Sequence, residues 1–94
     1  MIMTLLSIHS PFEIQQKLAN AVRAKRKKMK LSRQALAEHS TVPAPTIKRF
    51  ETTGEISLRQ FVMLWQCVDR LDTLAALANP PKPTPRTITE VLVS

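Results

Sequence analysis

All seven prolines of this 94-residue chain stand where a helix could begin or where none could form, and this placement constrains the fold more than any other feature. Pro11 follows Ser10 and precedes Glu13, the Ser-x-x-Glu form of a capping box, with proline in the first turn, where its missing N–H is no loss. Pro43 and Pro45 flank Ala44, and Pro80, Pro81, Pro83 and Pro85 crowd one segment towards the end. The runs between these marks are free of proline. Their apolar residues recur at helical spacing.

That spacing predicts five helices. The first runs from Pro11 to near Met29, with Ile14, Leu18, Ala21, Val22 and Met29 on its inward stripe and Lys25, Lys27, Lys28 and Lys30 largely outside it. Ser32 caps a second helix, Arg33 to His39, whose inward residues are Ala35 and Leu36, and His39-Ser40-Thr41 is a turn. The third helix spans roughly Ala44 to Thr52, with Ile47 and Phe50 facing in. Pro43 and Pro45 therefore start this helix and do not break it. Gly54, the only glycine, ends it in a left-handed conformation. Ser57 caps a fourth helix in which Leu58, Phe61, Val62, Leu64, Trp65 and Val68 form a broad apolar face. Asp69 to Asp72 turns the chain into a short fifth helix ending near Ala78.

Hydrophobic residues make up 44% of the chain but aromatics only 4%, which favours aliphatic side chains packed between helices over a sheet-rich fold. The fold class is all-α, one small domain with a modest core. Residues 1–9 are read as an N-terminal extension, 10–78 as the helical domain and 79–86 as a semi-rigid proline-rich linker. Residues 87–94 form a β-branched tail, either disordered, an intermolecular strand across a dimer, or a docking segment for a partner.

The net charge is +7, and its distribution is uneven. From Lys17 to Arg49 there are ten Lys or Arg against one acid, Glu38, which points to an anionic partner, nucleic acid or a membrane surface, or else to a solvated face. A membrane-surface role fits poorly, since little exposed Trp, Phe or Leu accompanies the basic residues. Cys67 is the only cysteine, so an internal disulfide is excluded, and with only His9 and His39 beside it no metal site is expected. No nucleophile–base arrangement, Gly-rich phosphate loop or carboxylate pair suggests an enzyme, a cofactor or a small-molecule substrate. The opening MIMTLLSIH lacks a basic leader and meets Ser10-Pro11 too soon for a signal peptide, so a reduced, cytoplasmic protein is expected.

Read as a unit, LSRQALAEHSTVPAPTIKRFE resembles the helix-turn-helix of the Xre and phage-repressor family, through Leu31, Ser32, Leu36, Ala37, Val42, Thr46, Ile47, Phe50 and Glu51. Flanking residues, Ser10-Pro11, Leu18 to Ala21 and Ile56 to Leu58, are similar to the HipB antitoxin branch, whose members repress their own operon and bind a HipA-type kinase. The resemblance implies a five-helix, lambda-repressor-like domain that lays its second helix across the DNA backbone and its third in the major groove. It assigns base reading to Arg33, Ala44, Pro45, Thr46, Lys48 and Arg49, and phosphate contact to Ser32, Gln34, Lys27, Lys28 and Lys30. It makes Arg26 and Glu51 an ion pair between the first and third helices.

Two positions that are usually glycine in the family are Lys30 and Thr41 here, so both turns either hold a strained backbone or take another path. The function so implied is a sequence-specific repressor, homodimeric on double-stranded operator DNA, and an antitoxin with a HipA-like kinase toxin as partner. The alternatives are a plain Xre-family regulator without a toxin, or a protein-interaction module with incidental basic charge.

Overall fold

The computed structural model describes residues 9–79, and the expectations for residues 1–8 and 80–94, including the linker and the tail strand, lie outside them. Five helices follow in order: α1 (Pro11–Lys28), α2 (Arg33–Ser40), α3 (Ala44–Thr53), α4 (Leu58–Val68) and α5 (Leu71–Ala78). The described residues contain no strand.

The first four helices begin at the residues expected to start them, and the fifth begins at Leu71, within the expected turn. The Ser10 hydroxyl accepts from the Glu13 amide at 3.1 Å while the Glu13 carboxylate accepts from the Ser10 amide at 3.1 Å, closing the capping box. Ser32 and Ser57 accept from the amides of Ala35 at 3.0 Å and Gln60 at 3.1 Å. Pro43 is the residue before α3, with φ −57° and ψ 142°, and makes no side-chain cap. Pro45 lies in the first turn, where it removes an amide that has no helical partner.

The connections are short, and three of them use a left-handed residue, in two cases one that is not glycine. Lys30, at φ 60°, and Thr41, at φ 64°, adopt the conformation that glycine would take without cost. The strained path is therefore the one taken, at a cost on the order of 1–2 kcal/mol for each side chain. At the second turn Thr41 N–H donates to the Ala37 carbonyl at 2.8 Å and Val42 N–H to the Ser40 hydroxyl at 3.1 Å, while the Val42 side chain is buried.

The core joins Ala19 and Val22 of α1, Leu36 of α2, Val42 of the turn that follows, Ile47 and Phe50 of α3, and Phe61, Leu64 and Trp65 of α4. Phe50 meets Phe61 edge to face at 5.8 Å, and Phe61 meets Trp65 at 5.8 Å. The Trp65 indole N–H donates to the Arg70 carbonyl at 3.0 Å, so the polar end of the ring is satisfied at the start of α5. The Lys25 ammonium stands 5.5 Å over the same ring and 2.7 Å from the Asp69 carboxylate, which it holds below its usual pKa.

Three inward assignments made from periodicity are corrected. Ile14 of α1 and Met29 at its C-cap are 41% and 49% exposed, and Leu58 of α4 is 77% exposed. The buried stripe of α1 is Ala19, Val22 and Arg26, with Arg26 turned inward to the Glu51 carboxylate, while Ile14 stands in the first turn and Met29 is the cap residue just past the helix end. Leu58 sits at the first position of α4, before the helix reaches the core.

Gly54 shows how closely α1 approaches α3. It has φ 81°, donates its N–H to the Phe50 carbonyl at 2.7 Å, and would bring an added Cβ to 3.2 Å from the Gln15 Cβ and 3.3 Å from the Gln15 backbone carbon. The Gln16 amide donates to the Thr53 carbonyl at 2.8 Å, so α1 also caps the end of α3. Gly54→Ala therefore meets both a disfavoured φ and a backbone neighbour, and is expected to destabilise the fold by about 1–3 kcal/mol. Thr41→Gly, with open backbone preference and no such contact, is expected to stabilise by up to about 1 kcal/mol. Urea unfolding followed by circular dichroism measures both.

Candidate functional site

Glu51 lies in the last turns of α3 with its side chain only 1% exposed. A carboxylate so placed is costly unless every oxygen is matched. Arg26 of α1 donates Nε to Oε2 at 2.7 Å and Nη2 to Oε1 at 2.9 Å, a two-bond fork. Its remaining Nη1 donates to the Leu31 carbonyl at 2.8 Å, in the turn before α2. Arg33, the first residue of α2, adds Nε to Oε1 at 3.0 Å. One carboxylate thus ties together α1, α2, α3 and the turn between the first two.

Burial raises the Glu51 pKa, but hydrogen bonds and charge from Arg26 and Arg33 outweigh it and hold the carboxyl below its ordinary 4.5. The pair expected between Arg26 and Glu51 is brought together by the fold. Arg33, expected among the base readers, sends its Nε inward to this cluster with its side chain 37% exposed. Its two outer nitrogens carry no bond among the described residues.

The other expected readers lie along α3. Pro45, Lys48 and Arg49 are exposed, and Ala44 and Thr46 are half-buried. Ile47 and Phe50, buried on the opposite side, determine which face is presented outward. Among the expected phosphate contacts, Ser32 spends its oxygen on the cap of α2 and keeps its hydroxyl proton to donate. Gln34, Lys27, Lys28 and Lys30 are all exposed. Lys27, Lys28, Lys30 and Lys48 have no ion-pair partner among the described residues, unlike Lys25. Lys27 and Lys28 share the last turn of α1 with Arg26, but no hydrogen bond or ion pair ties them to the exposed residues of α3.

Sequence reasoning missed one residue at this face. Arg49 Nη2 and Nε both donate to Glu55 Oε1, at 2.6 and 3.1 Å. The two side chains border a shallow cleft with Pro45, Thr46, Ile56 and Gln60. Six residues separate the partners across the Gly54 turn, so no helical i,i+4 rule marks them, and only the turn conformation could have done so.

Elsewhere, Cys67 borders an apolar depression with Met29, Leu31 and His39, and burial pushes its thiol above the ordinary value, away from reactivity at neutral pH. Among the described residues no three His, Cys, Asp or Glu side chains gather as a metal site, and no helix is long and apolar enough to cross a membrane. Comparison with protein-family models, with curated proteins and with solved structures finds no match to this chain.

Removing Glu51 strands Arg26 in the interior. Glu51→Leu is expected to cost about 3–5 kcal/mol, and Arg26→Met added to it to recover a large part, since two apolar side chains replace the buried pair and only the partly exposed Arg33 is left without its carboxylate. Because the folded-state pKa of Glu51 is depressed, its stabilisation is fully present above 4.5 and is lost as pH falls from there through the lowered folded value. Urea midpoints measured across that acid range should fall more steeply for the native chain than for Glu51→Gln.

Proposed function

We propose that this protein is a sequence-specific DNA-binding repressor, with α2, its three-residue turn and α3 acting as a helix-turn-helix of the Xre and phage-repressor type and α3 entering the major groove. The observation that carries this reading is the buried Glu51 cluster, which holds α3 in one orientation against α1 and α2 while Thr46, Lys48 and Arg49 stay on its outer side. Base reading then rests on Thr46, Lys48 and Arg49, with the outer nitrogens of Arg33 at the edge of the site, and Ala44 and Pro45 offering only apolar contact. The unpaired Lys27, Lys28 and Lys30 with Gln34 and Ser32 supply phosphate contacts, which position the module and carry much of its affinity.

A single module of this size makes a small interface, so the reading includes a two-fold homodimer on a palindromic operator. Support for a second copy comes from α5, LDTLAALA, which has one charged residue, buries none of its side chains and leaves Leu71 40% and Leu77 83% exposed. The narrower reading, an autoregulating HipB-like antitoxin with a HipA-like kinase as toxin, rests on the flanking sequence resemblance. A kinase gene beside this one supports it, and the lack of one leaves a plain Xre-type regulator. The working compartment of such a protein is the cytoplasm.

Fluorescence anisotropy on the duplex from the chain's own upstream region and on a scrambled duplex tests the main reading. The native duplex should win by about a thousandfold or more. Arg49→Ala should remove about 1–3 kcal/mol of that preference per half-site, and Lys28→Ala should weaken both duplexes alike and reduce the salt slope of the dimer by about 1.8, one phosphate per protomer. Equal, weak binding of both duplexes would instead favour a protein-interaction module with incidental charge. Sedimentation of the native chain should give a dimer that Leu77→Glu dissociates.

A further inference from the structure

The Arg49–Glu55 pair is held from below as well as by its own charges. The Thr53 hydroxyl donates to the Arg49 carbonyl at 2.7 Å and accepts from the Glu55 amide at 3.1 Å, so one side chain fastens the two backbones together. Gly54 between them is buried, left-handed and pressed on Gln15 of α1, which leaves the turn little freedom to carry Glu55 elsewhere. A pair of exposed side chains is thereby set on a fixed base.

The bonds also select an edge. Glu55 Oε1 takes the Nε and Nη2 side of the guanidinium, and the end formed by Nη1 and the second Nη2 proton stays open. That open end is the fork that fits O6 and N7 of guanine. Glu55 at the same time cancels the charge of Arg49, so the side chain offers little net attraction to a phosphate. Lys48, the next residue along, has no such partner.

Resting on the DNA-binding reading above, we infer that Glu55 is a specificity-determining residue: it orients Arg49 end-on for a base edge and withholds it from nonspecific phosphate contact. It acts through Arg49 and is a positioning residue. Its value is discrimination, since an exposed pair with side chains 70% and 60% accessible adds little to stability.

The experiment uses the full chain, the short duplex that the native protein enriches from a random pool, and a scrambled duplex of the same composition. Glu55→Gln, which keeps the shape and removes the charge, should bind the scrambled duplex about fivefold more tightly, with a salt slope steeper by about 1.8, one further phosphate for each protomer. Its preference for the enriched duplex should fall about tenfold, at the one base pair whose substitution also abolishes the effect of Arg49. In an Arg49→Ala background Glu55→Gln should change neither quantity, which a merely structural role for Glu55 would not produce. Thermal unfolding of Glu55→Gln should match the native chain.

An unchanged preference and salt slope in Glu55→Gln overturns the inference while the DNA reading stands. Loss of binding to both duplexes with the fold intact also overturns it, because Glu55 would then be a direct contact. Failure of the native chain to enrich any duplex overturns the DNA reading and this inference with it.

Discussion

The arrangement of the first three helices depends on one buried carboxylate. Glu51 is matched by a two-nitrogen fork from Arg26 and a third donor from Arg33, and Arg26 uses its last nitrogen on the Leu31 carbonyl. Apolar side chains of similar size pack in several registers at similar cost. A bidentate Arg–carboxylate pair tolerates no such sliding, because a shift of one residue on either helix would leave a charge in the interior without a partner. The polar cluster therefore acts chiefly on orientation, and the apolar core beside it supplies the driving force.

That core is built across the helices in two layers. Ala19, Val22, Leu36 and Ile47 bring the first three helices close, and the small Ala19 allows α1 to approach without a gap. Phe50, Phe61 and Trp65 then run from α3 along α4, and the Trp65 indole hands its N–H to the backbone where α5 begins. α5 is the exception. It rests on α4 through Leu74, buries no residue of its own, and presents leucines to solvent, which is unusual for so apolar a helix unless another surface covers it.

The surface charges divide in the same way as the interior ones, by whether they have partners. Lys25, Arg26, Arg33 and Arg49 are each paired with a carboxylate, whereas Lys27, Lys28, Lys30 and Lys48 are not. A net charge of +7 therefore overstates the number of cations that determine the fold and understates how exclusively the unpaired ones face solvent. On the proposed reading, unpaired lysines provide attraction to the DNA backbone and paired arginines provide direction.

Much of the fold was legible in the chain because the signals that start and stop helices are local. A serine three residues before an amide that needs an acceptor, a proline in a first turn and a glycine at a helix end act within four or five residues, and all of them stand at helix ends in the structure. The outer positions of α3 followed from the burial of Ile47 and Phe50, again a matter of spacing. What spacing could not decide was which flank of α1 turns inward. Ile14 and Met29 fit an apolar stripe as well as Ala19 does, and the flank that is buried is the one on which Arg26 meets a carboxylate twenty-five residues away. The engagement of Arg33 with that same carboxylate, the left-handed turns at Lys30 and Thr41, and the hold of Glu55 on Arg49 likewise arise only when distant residues are brought together. By itself the sequence determined where the helices begin and end and which face of α3 is buried. Tertiary structure decided which charges are spent inside and which remain outside, because electrostatic pairing depends on distance in space and not along the chain.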